Sequence, residues 1–222
     1  KRNMAFTKIT NECIVVIKLY CPNLLEFISE KEFGELIRKF INNTVRNGNS
    51  HNFSLTFFRL VKEHATNESK IIRSEFKYCD YLLGKFLKIG KNKAFKDLLI
   101  SVMVNFKQSN FKNILGEIGA AVTLSTILRL NRYEKSLPNG KSVDFEFIDK
   151  TNKIIWIEVL NIEFDSKKYD NPQLFQKFIC GRLQQKFNDK TLNLENPEKA
   201  RLYIFPVLHG FTEDIIHENA GF

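Results

Sequence analysis

The sequence predicts an α/β fold: an N-terminal helical region, then a core of order αβββαβ with a mixed central sheet. Three observations carry this. Segments of residues 1–108 repeat apolar side chains every three or four positions, as helices buried on one side do. Residues 142–164, SVDFEFIDKTNKIIWIEVLNIEF, read as two short strands around a turn at DKTN. A helical pattern, PQLFQKFICGRLQQKFND, then separates this hairpin from a last strand, ARLYIFPVL, an alternation that gives a sheet covered by helices.

Taken in order, ECIVVIKLY is short and β-branched, compatible with a strand or a helix. EKEFGELIRKFINNTVRN sets Phe33, Leu36, Ile37, Phe40 and Ile41 at helical spacing and ends in the Asn/Gly punctuation of NGNS. NFSLTFFRLVKEHA, SEFKYCDYLLGKFLKIG and AFKDLLISVMVNF continue the helical period. SNFKNILGEIGAAVTLSTILRL reads as a helix capped by Ser109 or Asn110, with a short strand near RYEKSL and a turn at PNG after it. The later helix opens on Pro172, a position where a missing N–H costs nothing. FTEDIIHENAGF reads as a tail helix or an oligomer contact. Two regions result: 1–108, helical and basic, and 109–222, the α/β core.

Composition narrows the function. A chain of 222 residues with 43% hydrophobic content can bury a full core. No run approaches the roughly 18 apolar residues of a membrane helix, so no membrane partner is expected. The four cysteines form no CxxC pair and read as buried free thiols of a cytoplasmic protein. The 21 phenylalanines, at periodic positions, read as core. His51, His64, His209 and His217 lack zinc spacing, GEIGAAVT has no phosphate-loop lysine, and Ser101 and Ser125 have no visible acid–base partner.

The net charge of +9 is unevenly spread. Residues 1–110 hold 19 Lys/Arg against 10 Asp/Glu, and residues 111–222 hold 15 against 15. The densest run, KFLKIGKNKAFK, carries Lys85, Lys88, Lys91, Lys93 and Lys96 with no acid between them. Such a field favours a polyanion, because neutralised phosphates release condensed counterions; nucleic acid is the expected partner. A merely solvated lysine-rich surface is the alternative.

Charges on apolar faces locate the chemistry. A turn centred near Thr151 sets Asp144 opposite Glu158, and cross-strand partners share a face with side chains about 5 Å apart. KIIWIEVL has no polar side, so Glu158 is expected to be buried. Two such carboxylates raise each other's pKa unless a cation lies between them, and Mg²⁺ suits an all-oxygen site. An edge hairpin with both acids in water is the alternative. On the following helix Phe175, Phe178, Ile179, Leu183 and Phe187 define an apolar arc. Lys186 falls near its middle and Arg182 inside it, whereas Lys177 and Lys190 fall off its centre, as solvated charges do. The two acids are the counter-charges for Lys186, unless its ammonium snorkels past the helix end. Glu117 shares a helix side with Ala121, Leu124 and Leu128, with Gly116 and Gly119 beside it allowing a close neighbour.

These residues, in the αβββαβ order, with Glu117 in the first core helix, Asp144 after PNGKSV and Glu158 in the next strand, resemble the PD-(D/E)XK nuclease superfamily, the restriction-endonuclease-like fold. The likeness spans about residues 109–210 and is one of pattern and topology. It implies a metal-dependent endonuclease, acting on DNA and in many relatives as a homodimer. Asp144, Glu158 and the Val159 carbonyl would hold Mg²⁺ or Mn²⁺, with Glu117 supporting the metal or its waters. The motif lysine is missing: Leu160 stands two residues after Glu158. Some branches supply that lysine from the following helix, and Lys186 is the candidate, with Arg182 or Gln185 as auxiliary phosphate or water contacts. A non-catalytic nucleic-acid-binding module is the second expectation, and a structural ion-pair network the third.

Overall fold

The computed structural model describes residues 2–46, 61, 63–65, 67, 70–89, 108–163 and 171–209. They fall into two compact units, Lys1–Ile118 and Gly119–Phe222.

The first unit is helical. Helix α1 spans Arg2–Tyr20, α2 Glu30–Arg46 and α3 Lys70–Ile89, with a 3-10 turn at Pro22–Glu26 between α1 and α2. The ambiguous ECIVVIKLY is therefore helix. Its buried residues, Cys13, Val16, Ile17 and then Cys21, follow a helical period, and packing of that stripe outweighs the strand preference of the β-branched run. A reciprocal cap starts α2: Glu32 N–H donates to Ser29 Oγ at 3.2 Å, and Ser29 N–H donates to Glu32 Oε2 at 2.9 Å. Its Phe33 and Ile37 are fully buried, as their spacing predicts. Helix α3 is tied to the 3-10 turn by Asn23, whose backbone N–H and side-chain amide both donate to Asp80, at 2.7 and 2.9 Å. Beside that tie the buried thiols of Cys21 and Cys79 hydrogen-bond to each other. Cysteines 13, 21, 79 and 180 are all free, but Cys180 is exposed, against the expectation that all four are buried.

Helix α4, Gln108–Leu124, runs across the division between the units. It begins before both expected caps and ends six residues before Leu130, because ILRL belongs to the turn and strand that follow. Its buried residues are Ile114, Gly116, Ile118, Ala120 and Ala121, while Glu117 is half-buried. A close neighbour was expected at Gly119, but a side chain there would meet nothing within 4 Å.

The second unit is built on strands β1 (Arg129–Ser136), β2 (Ser142–Ile148), β3 (Ile154–Glu163) and β4 (Arg201–His209), with α5 (Pro172–Thr191) between β3 and β4. The sheet order is β1-β2-β3-β4; the first two pairings are antiparallel and the last is parallel. This is the mixed sheet that the order of patterns predicts, and α5 is the crossover that a parallel pair requires. Gly140 closes the β1–β2 turn with φ of 77°, a left-handed conformation that glycine adopts without strain. The β2–β3 turn is held by Asp149, whose Oδ1 accepts from the Thr151 and Lys153 N–H groups at 2.7 and 2.9 Å. Helix α5 starts at Asn171, whose Oδ1 accepts from the Gln173 and Leu174 N–H groups, with Pro172 in the first turn.

Candidate metal-binding and catalytic site

Strand β3 lies between β2 and β4, and every residue from Trp156 to Leu160 is buried. Glu158, 2% exposed, is therefore an interior carboxylate, not the solvated acid of an edge hairpin. The β2–β3 register pairs Phe145 with Ile157, and one further step sets the half-buried Asp144 opposite Glu158. The Val159 N–H donates to Asp144 Oδ2 at 2.6 Å. In a strand the N–H and C=O of one residue point to the same side, so the Val159 carbonyl also turns toward β2, past the last paired residue.

Helix α5 brings two ammonium groups to this pair. Lys186 Nζ stands 2.6 Å from Glu158 Oε1, and Lys190 Nζ 3.1 Å from the same oxygen. Lys190 also donates to the Ser142 carbonyl at 2.5 Å, joining the helix to the start of β2. Its side chain is only 13% exposed against 34% for Lys186. Position 190 thus faces the sheet, contrary to the solvated place expected of it: one turn beyond Lys186 the helix still overlies β2. Phe187 and Arg182 depart from the expected arc in the other direction, both being exposed. Position 187 lies about 100° round the helix from 186, and a long arginine at the edge of a stripe carries its head to water.

The carboxyl of Asp144 is pushed up to about 6. Burial is the main cause and the nearby charge of Glu158 the second; the Val159 N–H and the two lysines act against them. Glu158 Oε2 is buried with no hydrogen-bond partner among the described residues. A second oxygen of a buried carboxylate left without a hydrogen bond, beside a carboxyl that burial pushes up, fits a cation site. Among the described residues no group of three or more His, Cys, Asp or Glu side chains could hold a metal ion, so the protein ligands here would be two carboxylates and a backbone oxygen.

The helix that carries the lysines is fixed at its C-terminal end by the β1–β2 turn. Asn139 Nδ2 donates to the Lys190 and Leu192 carbonyls at 2.9 and 3.0 Å, satisfying groups that a helix end leaves open. Lys141 reaches both the backbone carbonyl and the carboxylate of Asp189. That contact holds the Asp189 carboxyl below the usual range.

A second buried acid escaped the sequence reading. Glu146, 2% exposed, accepts from Asn131 Nδ2 at 2.5 Å and from Trp156 Nε1 at 3.4 Å, and it lies 3.4 Å from Lys135 and 3.6 Å from Arg132. Lys135 continues to Glu198 at 3.1 Å. VDFEF by itself reads as a strand whose acids face solvent, since Asp144 and Glu146 alternate with apolar residues; Lys190 was readable, standing four residues after Lys186.

Of the remaining expected residues, Glu117 lies on α4 in the first unit. Arg182 and Gln185 are exposed on α5, and Gln185 lines an outward groove of about 570 Å³ with Gln184, Asn188 and Asp189. Lys85 and Lys88 are exposed on α3. Lys91, Lys93 and the FTEDIIHENAGF tail lie outside the described residues. No helix among the described residues is long and apolar enough to cross a membrane. No protein-family model matches the chain, and neither a curated protein nor a solved structure shows significant similarity to it.

Proposed function

We propose that the protein is a divalent-metal-dependent endonuclease that hydrolyses phosphodiester bonds of DNA. The observation that carries this reading is Lys186, 2.6 Å from Glu158 on a helix, where Leu160 leaves the strand without a lysine. Asp144, Glu158 and the Val159 carbonyl are the residues that would hold Mg²⁺ or Mn²⁺. When bound, the ion supplies Lewis-acid polarisation of a phosphate and acidification of a water. The chain's own residues do the rest. Lys190 pins Glu158 against β2, so the carboxylate is oriented before any ligand arrives. Lys186, the more exposed of the two, is free to leave Glu158 when another cation neutralises it, and then to orient the attacking water and stabilise charge developing on the phosphoryl oxygens. Arg182 and Gln185, on the outer side of α5, would contact flanking phosphates.

The test is cleavage of supercoiled plasmid with and without Mg²⁺ or Mn²⁺. Wild type should cut only with metal, and Asp144→Ala, Glu158→Ala and Lys186→Ala should each lose at least about 100-fold in rate, the scale of losing one electrostatic contact to the transition state. Equal residual cleavage in all three would remove the site assignment. A second reading, a nucleic-acid-binding module without catalysis, is favoured by one feature: Lys186 and Lys190 together already offset the Glu158 charge. Under it, wild type binds DNA with a steep salt dependence and never cuts.

A further inference from the structure

The exposed face of α3 is a regular stripe. Lys70, Ser74, Lys77, Tyr78, Tyr81, Lys85 and Lys88 are all exposed, whereas Phe76, Cys79, Leu82, Leu83 and Phe86 are buried on the other side. Spacings of three and four keep the exposed set on one line. From Lys70 to Lys88 it runs about 27 Å at 1.5 Å per residue. Among its described side chains the stripe holds four lysines and no acid; Asp80, between the two tyrosines in sequence, is half-buried and engaged by Asn23. Tyr78 and Tyr81 are 57% and 58% exposed, and Lys85 Nζ lies 5.4 Å from the centre of the Tyr81 ring.

Two features of this face are unusual together. Lysines that are merely solvated need no aromatic neighbours, yet two exposed tyrosines stand among them on this face. Open aromatic faces interleaved with cations match one polymer chemistry, a charged backbone with unpaired bases: lysines neutralise phosphates, and each ring accepts a base on its face. A duplex offers its bases already stacked on each other, so it would use the lysines and leave the rings idle.

We infer that the Lys70–Lys88 face of α3 binds single-stranded DNA, with Tyr78 and Tyr81 as base-stacking platforms and Lys70, Lys77, Lys85 and Lys88 as phosphate contacts. The choice of DNA rests on the nuclease reading above; the single-strand preference rests on the tyrosines alone. Because the stripe lies wholly within the first unit, it needs neither Asp144 nor Glu158 in order to bind.

The experiment is fluorescence anisotropy with a labelled 20-nucleotide oligo-dT in EDTA, beside a duplex of equal length, an oligo-rU and anionic phospholipid vesicles. Wild type should bind oligo-dT at least about tenfold more tightly than the duplex. Tyr78→Ala and Tyr81→Ala should each weaken oligo-dT binding about tenfold and leave duplex binding within about twofold. Both rings are on the surface, so the variants should keep wild-type circular dichroism and thermal midpoint; Tyr78→Phe, which keeps a π face, should bind like wild type. Equal affinity of the alanine variants for oligo-dT overturns the inference, as does duplex binding as tight as single-strand binding. So does preference for oligo-rU or for vesicles. Wild-type protein separates the two readings: if it and Asp144→Ala bind oligo-dT alike and no metal elicits cleavage by wild type, the nuclease reading falls and this one stands. Metal-dependent cleavage with tyrosine variants that bind normally gives the reverse.

Discussion

Asp144 shows how a single side chain records its surroundings. Its folded pKa, about 6, stands above the 3.8 of an exposed aspartate. A raised carboxylate stabilises the fold fully below its unfolded value and loses that contribution as pH rises through the folded one. The metal-free wild type should therefore gain stability as pH falls from about 6 towards 3.8, by an amount of order 2 kcal/mol relative to Asp144→Asn, which does not titrate. Urea unfolding of both proteins at pH 4.5 and pH 7 measures the difference; parallel curves would show that Asp144 is not held in this environment. The two lysines make a second contrast. Lys190, nearly enclosed, holds both Glu158 and the Ser142 carbonyl. Lys190→Met should lower unfolding free energy by about 1.5–3 kcal/mol, the scale of charge-assisted hydrogen bonds. Lys186→Met, at a more exposed position whose partner keeps a second cation, should cost under about 1 kcal/mol while removing cleavage. Stability and activity thus separate between neighbours one turn apart.

At the scale of elements, α5 is the piece that makes a site out of a hairpin. It is fastened at both ends: Asn171 caps the start, and Asn139 with Lys141 grips the finish. Asn171→Ala should cost about 1 kcal/mol. Asn139→Ala should do less to the midpoint of unfolding than to the cleavage rate, because it frees the turn that carries Lys190 and lies beside Lys186. Comparing thermal midpoints with cleavage rates for the two variants tests this. The strand and helix order was legible because periods of two and of about 3.6 differ sharply, and because the hairpin turn fixed its own register. What sequence did not show had two causes. The helical state of ECIVVIKLY depends on the stripe it buries, which is tertiary information. The end of α4 was overrun because ILRL continues an apolar period after the helix has turned away. Asp144, Glu158 and Lys186 were readable as charges in apolar company. Lys190 was placed off the centre of the arc as a solvated charge, and Glu146 alternates with phenylalanines as an acid on a solvent face does.

For the whole molecule, charge is divided between the units. Lys1–Ile118 holds 20 Lys/Arg and 11 Asp/Glu, a surplus of nine, and Gly119–Phe222 holds 14 of each. The proposed division of labour is a gripping unit and a cutting unit. With four stripe lysines on single-stranded DNA, log affinity should fall with log salt at a slope near −3, since each phosphate contact contributes about −0.7. Lys77→Gln, Lys85→Gln and Lys88→Gln together should flatten it to about −1. Titration of oligo-dT in EDTA from 50 to 300 mM NaCl reads both slopes, and a slope unchanged by the triple variant would place the grip elsewhere.

Pro206 in β4 bears on assembly. Val159 turns its backbone groups to β2, so those of Leu160 face β4, and in a parallel ladder they bond the residues flanking Pro206, the register partner of Leu160. The proline's missing N–H therefore lies on the outer rim of the described sheet, where a strand from another chain would seek a donor. A homodimer of this protein would not be made by continuing the sheet from one copy into the next through β4.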